Sequence, residues 1–212
     1  MTSPLEAVDQ AAVAPDRVGV ANIANALTVL RLLLVPVFVV MLFAEDGRSP
    51  GWRWAAWAVF AVASFTDRID GELARRRQIV TAFGQIADPI ADKALTGAAL
   101  VGLSLLGELA WWVTAVVLVR EVGVTALRFW VIRHGVIPAS RGGKVKTFVQ
   151  GVAIGLYVLP LSGALASARW WVMAAAVAVT VGTGVDYVAR AVTLRRTSAR
   201  AAMKRARKAG LR

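Results

Sequence analysis

The 212-residue chain contains no cysteine and a single histidine, and only 18% of its residues are charged. The missing thiols exclude disulfide bonds and the thiolate sites that hold structural zinc. Soluble domains carry about 25% charged residues, so charge is scarce here as well. Hydrophobic residues make up 58% of the chain and lie in long apolar blocks, which is typical of a helical protein that crosses a membrane several times.

The charges that are present have an uneven sign, with 25 Lys and Arg residues against 13 Asp and Glu residues. In a membrane protein such an excess lies mainly on the cytoplasmic side, next to anionic lipid headgroups. Nucleic-acid binding is the other common use of a basic chain, and we expect none because the apolar blocks favour a membrane. The first twenty residues contain three acids and no apolar run, so we expect no signal peptide there.

Apolar blocks separated by polar connections predict an all-α, polytopic membrane protein with six transmembrane helices. The predicted spans cover approximately residues 27–44, 54–73, 83–106, 111–132, 147–165 and 170–194. The connections after the second and fourth spans and the C-terminal tail are basic, whereas the other connections are poor in Lys and Arg. The positive-inside rule therefore places both termini in the cytoplasm.

The composition also divides the chain into three regions. The N-terminal region is rich in Ala, Pro and acids, the middle holds the six spans, and the last residues are dominated by Lys and Arg. We therefore expect a flexible or interfacial arm, a six-helix domain and a basic cytoplasmic tail that lies on the membrane surface, in residues 1–22, 23–196 and 197–212 respectively.

Four carboxylates lie at the facing ends of the second and third spans, in two pairs: Asp67 with Asp70, and Asp88 with Asp92. Residues three or four apart share a helix face, so each pair can direct both carboxylates to one point. Without partners, four acids at membrane depth would cost roughly 10 kcal/mol or more. Divalent cations remove that cost, and sites built only from oxygen ligands suit Mg²⁺ or Mn²⁺. The pattern predicts two ions, an arrangement that serves in-line displacement at phosphorus.

The residues between the acidic pairs predict a phosphate-bearing ligand beside the metal site. Gly71, Ala74 and Gly84 leave room next to the backbone. Arg75 offers a planar guanidinium that can bind a phosphate through two parallel hydrogen bonds.

The spacing of these residues resembles the signature of the CDP-alcohol phosphotransferase family. All eight fixed positions are present at the family's spacing: Asp67, Asp70, Gly71, Ala74, Arg75, Gly84, Asp88 and Asp92. The likeness extends to the flanks, because Asn25 to Thr28, with Arg31 and Pro36, resembles the start of the family's first helix. Residues 140–150 are similar to the phosphatidylglycerophosphate synthase branch in particular.

The resemblance implies a homodimeric enzyme of the cell membrane, the inner membrane where there are two, with its active site facing the cytoplasm. It implies transfer of a phosphatidyl group from CDP-diacylglycerol to glycerol 3-phosphate, with release of CMP. It assigns the metal ligands to the four aspartates and the general base to Asp92, which the residues alone do not distinguish from the other three. The implied donor site comprises Asn25, Ala26, Leu27, Thr28, Asp67, Gly71, Ala74, Arg75, Thr81 and Gly84.

An anionic acceptor needs cations, and five basic residues are candidates for its phosphate pocket. They are Arg120, Arg141, Lys144, Lys146 and Arg190. Cations inside an apolar bundle are costly, which favours a functional interpretation. Lys144 and Lys146 also lie at a membrane boundary, where basic residues are expected for orientation alone. Arg120 and Glu121 could instead form a buried salt bridge, although adjacent helix positions face different ways.

Other functions fit parts of the same pattern. A related transferase could use phosphatidylglycerol, as in cardiolipin synthesis, or inositol phosphate as its acceptor. A cation transporter would also carry paired intramembrane carboxylates, but transport of a bare cation needs no arginine for phosphate. A non-catalytic membrane anchor explains only the basic tail. Asn25 could be an N-cap of the first helix, and Arg31 could extend to the membrane surface or face an internal polar site.

Overall fold

The computed structural model describes the backbone of residues 23–77, 82–131, 141–197 and 210. The side chains of residues 23–25, 67–89, 92, 128, 129, 131, 141, 196 and 197 fall outside the described residues. Thr81, the N-terminal arm and the part of the basic tail after residue 197, except residue 210, also fall outside them.

The described backbone forms six α-helices and no strand, which confirms the predicted all-α fold for this part of the chain. The helices are α1 (Ile23–Phe43), α2 (Pro50–Arg77), α3 (Ala82–Leu105), α4 (Trp111–Val131), α5 (Arg141–Val158) and α6 (Gly163–Thr197). Each apolar block of the sequence therefore corresponds to one helix.

Two predicted boundaries are wrong. The sequence predicts a fifth span that reaches residue 165 and a sixth that begins near residue 170, but α5 ends at Val158 and α6 begins at Gly163. Pro160 explains the early end, because the residue before a proline is disfavoured in the helical conformation and proline itself has no N–H to donate. Gly163 then begins α6 with a φ of +60°, a conformation that glycine adopts without steric cost. Helix α6 runs for 35 residues.

The helices associate in two groups of three. Helix α1 packs along α2 and α3, whereas α6 packs along α4 and α5. The groups meet where α3 contacts α4 and α5, and where α2 contacts α5. The shared core includes Phe38, Leu42, Leu100 and Ile154, all essentially inaccessible to solvent. Gly102 permits the close approach of α1 and α3, since a Cβ atom there would lie 2.7 Å from Leu42 Cδ2.

An ion network centred on Arg53 closes one end of the bundle. The Arg53 side chain is only 3% exposed and donates through Nε to the Val158 carbonyl at 2.7 Å and through Nη2 to the Tyr157 carbonyl at 2.5 Å. Its guanidinium also pairs with both carboxylate oxygens of Glu108, in the turn between α3 and α4. Arg169 of α6 donates to the same carboxylate at 3.1 Å. The network thus ties together α2, α5, α6 and the connection between α3 and α4.

Two helical segments in the described part of the chain are long and apolar enough to cross a membrane, judged by length and composition. They are Ala26–Gly47 and Gly163–Arg195. Large apolar side chains are exposed on both, including Leu33 and Val40 on the first and Leu165 and Val185 on the second. Soluble proteins rarely expose extended apolar surface of this kind.

Near its C-terminal end, α6 contacts the end of α4 through one aromatic residue. The Arg195 guanidinium carbon lies 4.0 Å from the centre of the Trp130 ring. A cation over an aromatic face is held by the negative charge density of the ring. This contact joins the two helices at the end of the bundle opposite the Arg53 network.

Candidate functional site

The four signature aspartates occupy helical positions on two consecutive helices. Asp67 and Asp70 lie in the C-terminal part of α2, and Asp88 and Asp92 lie in the N-terminal part of α3. The ends that carry them are the two ends joined by residues 78–81. Spacings of three and four on helical backbone are those that place two residues on one face, so the backbone fits the predicted pairing.

The metal site itself involves side chains outside the described residues. Among the side chains that are described, no group of three or more His, Asp or Glu residues could hold a metal ion, and the four aspartates are not in that set. The available donor set is nevertheless oxygen-only and lies on adjacent helices, which fits a hard divalent cation. Gly71, Ala74, Arg75 and Gly84 occupy the same helical segments.

The start of α1 carries the other predicted donor residues. Asn25 is the third described residue of the helix, so it lies inside α1 and the alternative role as N-cap is wrong. Ala26 is exposed and Leu27 half-buried, whereas Thr28 is only 1% exposed. Arg31, one turn later, is equally buried at 1%. Arg31 therefore faces the bundle interior and does not extend to the membrane surface, and it forms one polar stripe with Thr28.

Three helices contribute to a largely enclosed ion cluster. Lys146 of α5, which is 5% exposed, forms an ion pair with the carboxylate of Glu121 in α4. The same carboxylate oxygen lies 3.4 Å from Arg120 Nη1. Arg120 Nη2 in turn lies 3.2 Å from the hydroxyl oxygen of Thr183 in α6. Glu121 thus lies between two cations, and we call Arg120, Glu121, Lys146 and Thr183 the Arg120 cluster.

The contact between Arg120 and Glu121 differs from what helix geometry alone suggested. Adjacent helix positions point about 100° apart, yet the long arginine side chain reaches back far enough for a loose ion pair. The main partner of Glu121 is Lys146, which lies on another helix and 25 positions away in the chain. The salt bridge that the sequence offered as an alternative, between Arg120 and Glu121, is therefore present, but it is weaker than the pair between Lys146 and Glu121.

The other three acceptor candidates are not part of this cluster as described. Lys144 is exposed on α5. Arg190 is also exposed and donates through Nε to Asp186, one turn earlier on α6, at 2.9 Å. The side chain of Arg141 falls outside the described residues. The structure therefore brings together Arg120 and Lys146, and their shared role in binding an acceptor stays a prediction.

Sequence reasoning did not single out several polar residues beside this cluster. Gln150 lies one turn after Lys146 on α5, and Thr180 lies one turn before Thr183 on α6. The Oε1 atom of Gln150, the Oγ1 atom of Thr180 and the Nε atom of Arg120 are buried without a hydrogen-bond partner in the described part of the chain. Their signal in the sequence is weak: polar residues at helical spacing from a charged one.

Gly184 shapes the cluster without contributing a functional group. A Cβ atom at this position would lie 3.2 Å from Arg120 Cγ and 3.6 Å from Arg120 Nε. Contacts of that length are tight for packed carbon atoms. The absent side chain therefore lets the arginine lie directly against the backbone of α6.

The chain is similar to a known protein family and to named proteins of several bacteria. The family model described as CDP-alcohol phosphatidyltransferase matches residues 21–182. A protein of Mycobacterium tuberculosis named probable phosphatidylglycerophosphate synthase is 62% identical over 176 residues, which cover 83% of this chain and 84% of that protein. A protein named CDP-diacylglycerol–glycerol-3-phosphate 3-phosphatidyltransferase is 35% identical in Bacillus subtilis, covering 80% of this chain and 94% of that protein. The protein of that name in Escherichia coli K12 is 41% identical, covering 63% and 74%.

Proposed function

Because this chain belongs to the CDP-alcohol phosphatidyltransferase family, we propose that it transfers a phosphatidyl group from CDP-diacylglycerol to glycerol 3-phosphate. The products are phosphatidylglycerol phosphate and CMP. The names of the Mycobacterium, Bacillus and Escherichia relatives support this reaction. The observation that supports the choice of an anionic acceptor is the position of a partly buried Arg120 and a buried Lys146 on the same carboxylate in an apolar bundle.

The donor occupies the segment that carries the signature. Arg75 binds a phosphate of the CDP moiety, and the small residues at 71, 74 and 84 allow the nucleotide to approach the backbone. The start of α1 contributes the buried polar stripe of Thr28 and Arg31. The full donor set is Asn25, Ala26, Leu27, Thr28, Asp67, Gly71, Ala74, Arg75, Thr81 and Gly84.

The four aspartates would hold two divalent ions, Mg²⁺ or Mn²⁺. Bound ions supply positive charge that neutralises the pyrophosphate of the donor and the developing charge on the leaving CMP. Asp92 accepts the proton of the acceptor hydroxyl, since a nucleophilic alcohol must lose that proton as its oxygen bonds to phosphorus. Its place one turn after Asp88 keeps the base next to the other ligands of the site.

The acceptor phosphate lies against Arg120 and Lys146. Two cations from different helices can contact different oxygens of one phosphate group, which fixes its orientation as well as its position. Glu121 compensates their charge when the acceptor is absent, because unpaired cations in an apolar interior are costly. Arg141, Lys144 and Arg190 form an outer set of cations that attracts the anion before it binds.

The protein crosses the cell membrane six times with both termini in the cytoplasm, and the aspartates lie near the cytoplasmic face. The basic connections support this orientation, and the apolar side chains exposed on α1, α4 and α6 support contact with lipid. The nucleotide product is water-soluble, so an active site that opens toward the cytoplasm allows CMP to leave. We expect a homodimer, as the family resemblance implies.

The reaction is tested by acceptor-dependent release of CMP. The purified chain is incorporated in vesicles that contain CDP-diacylglycerol, and glycerol 3-phosphate, inositol phosphate and phosphatidylglycerol are supplied separately. We expect CMP only with glycerol 3-phosphate, and none after removal of divalent cations with a chelator. Consumption of inositol phosphate or phosphatidylglycerol alone would contradict the assigned acceptor. Full activity in chelator would contradict the metal site.

A further inference from the structure

Two neutral side chains inside the bundle, Gln150 and Thr180, each have one buried polar atom that lacks a hydrogen-bond partner within the described part of the chain. Gln150 is 5% exposed and Thr180 is 0% exposed. Gln150 Oε1 and Thr180 Oγ1 both lack a partner among the residues that the structure describes. A buried polar group that has lost water and gained no partner destabilises the fold. Groups retained at such a cost are candidates for binding a ligand that completes them.

Their positions place both groups beside the Arg120 cluster. Gln150 lies one turn from Lys146 on the same face of α5, and Thr180 lies one turn from Thr183 on α6. Helices α5 and α6 are joined by residues 159–162 and pack along each other, so they run antiparallel. From the ion cluster, both Gln150 and Thr180 therefore lie toward the connected end of this helix pair.

Both positions face the interior of the bundle and not the lipid. Gln150 shares its helical stripe with Ile154, and Thr180 shares its stripe with Ala176 and Met173. Those three apolar residues belong to the buried core. The two orphan groups are thus the polar part of a surface that is otherwise apolar.

The chemistry of the two groups defines what they can bind. The Gln150 Oε1 atom only accepts hydrogen bonds, whereas the Thr180 hydroxyl can donate one. An alcohol group has the chemistry to serve both atoms, because its O–H can donate to an amide oxygen and its oxygen can accept from a hydroxyl. Arg120 Nε is a third buried donor without a partner in the described residues, and it lies on the cationic side, where an anion binds. The complete ligand therefore carries a phosphate and a neutral hydroxyl.

We propose that Gln150 and Thr180 bind the acceptor's non-reacting hydroxyl, an inference that rests on the proposed function. Glycerol 3-phosphate has two hydroxyl groups, of which one attacks phosphorus and the other is carried unchanged into the product. The second hydroxyl must leave water when the acceptor enters the bundle, and the two side chains replace its lost hydrogen bonds. Together with the phosphate contacts they orient the reacting hydroxyl. Gln150 and Thr180 therefore determine acceptor specificity.

Thr183 provides an internal contrast on the same helix. Its hydroxyl lies 2.7 Å from the Val179 carbonyl and 3.1 Å from the Thr180 carbonyl, and it also contacts Arg120. Its hydrogen-bonding capacity is therefore used within the protein. Thr180 has the same side chain on the same face and makes none of these contacts.

The test compares two acceptors that differ only in the hydroxyl in question. 3-Hydroxypropyl phosphate has the phosphate and the reacting hydroxyl of glycerol 3-phosphate but lacks the hydroxyl on the middle carbon. For the unmodified enzyme we expect kcat/KM to be at least about tenfold lower with this analogue, because its binding leaves both side chains unpartnered. Thr180→Val and Gln150→Met should lower kcat/KM for glycerol 3-phosphate by about tenfold and leave the analogue within about twofold. Thr180→Ser should restore the preference.

Thermal unfolding in detergent separates this role from a structural one. Thr180→Val removes a hydroxyl without partners and should leave the unfolding temperature unchanged or raise it. The matched control is Thr114→Val, because the Thr114 hydroxyl is bonded to Ser104 at 2.7 Å and to the Leu100 carbonyl at 3.2 Å. The control should lower the unfolding temperature and keep the acceptor preference of the unmodified enzyme.

Two results would overturn the inference while the proposed function stands. One is an unmodified enzyme that uses both acceptors equally well. The other is a pair of variants, Thr180→Val and Gln150→Met, that retain the unmodified preference, as expected if the two groups bind only water. An enzyme that releases no CMP with either acceptor would instead overturn the proposed function itself.

Discussion

Two charged clusters lie inside the same bundle and differ in how fully their atoms are partnered. In the Arg53 network each guanidinium nitrogen has at least one partner, drawn from Glu108 and three backbone carbonyls. In the Arg120 cluster, Nη1 makes a long 3.4 Å contact with Glu121, and Nε lacks a partner among the described residues. The protein thus supplies partners to all the guanidinium nitrogens of Arg53, at one end of the bundle, but not to all those of Arg120, in its middle.

The difference indicates what each cluster is for. A buried ion pair with all its hydrogen bonds made holds helices in register, because removal of either partner leaves a charge stranded in an apolar interior. A cluster with one unused donor, Arg120 Nε, gains from a ligand that supplies the missing acceptor. We therefore expect changes at Arg53 to alter stability, and changes at Lys146 to alter the use of substrate.

The largest expected effect is a loss of stability at the complete cluster. Arg53→Met should lower the free energy of unfolding by about 3–5 kcal/mol, since Glu108 and the carbonyls of Tyr157 and Val158 lose their donor. Thermal or denaturant unfolding in detergent measures the change. Arg48→Met, the same substitution at an exposed arginine near this end, is the control and should have little effect. An equal free energy of unfolding for Arg53→Met and Arg48→Met would contradict the structural role assigned to the Arg53 network.

The second-largest expected effect is a loss of turnover at Asp92, which belongs to neither the Arg53 network nor the Arg120 cluster. Asp92→Asn should lower turnover by a factor on the order of 10² or more, because an amide cannot accept the proton of the acceptor hydroxyl. Binding of CDP-diacylglycerol should remain largely intact, and so should thermal stability. Single-turnover CMP release together with donor binding measures both parts. Unchanged turnover would remove Asp92 from the role of base.

A smaller and selective effect is expected at the incomplete cluster. Lys146→Ala should raise the KM for glycerol 3-phosphate by about tenfold and change the KM for CDP-diacylglycerol far less, since one charged hydrogen bond to the acceptor phosphate is lost. Steady-state kinetics with each substrate varied in turn measures the two values. Arg48→Ala, which removes a distant exposed cation, controls for the change in net charge. An equal rise in both KM values would contradict the assignment to the acceptor.

The smallest effect is expected at the exposed pair on α6. Arg190→Gln should change the free energy of unfolding by less than about 0.5 kcal/mol, because exposed ion pairs one turn apart contribute little. As an outer cation it should lower kcat/KM for the acceptor by about twofold at low salt, and the difference should vanish as salt screens the charge. A loss of activity that does not depend on salt would instead place Arg190 in direct contact with the acceptor.

The sequence predicted the helices well because their signal is local. Long apolar blocks and charged connections fix where each helix lies, and the spacing of Asp67, Asp70, Asp88 and Asp92 fixes their helical register. Arg120 and Lys146 also stand out in the sequence, since cations are conspicuous in apolar segments, and their role in binding an acceptor stays a prediction. All of these inferences use residues within a few turns of one another.

What the sequence could not predict depends on contacts between distant segments. Arg53 owes its role to carbonyls 104 and 105 positions away, at the end of α5, and backbone carbonyls carry no signal in a sequence. The choice of Lys146 as the main partner of Glu121 depends on how α4 and α5 pack, and helix geometry suggested no such pairing. The orphan state of Gln150 and Thr180 appears only once the surrounding atoms are placed.

The length of α6 has a consequence for how the bundle fits a bilayer. A helix of 35 residues extends about 52 Å at 1.5 Å per residue, whereas the hydrocarbon layer is about 30 Å thick. Bilayer thickness therefore does not determine where α6 ends, and the contact of Arg195 with Trp130 anchors that end to α4. We expect thinner or thicker membranes to be accommodated by tilt of the whole bundle, because Arg195 ties α6 to α4 near one end and Arg169 ties it to Glu108 near the other.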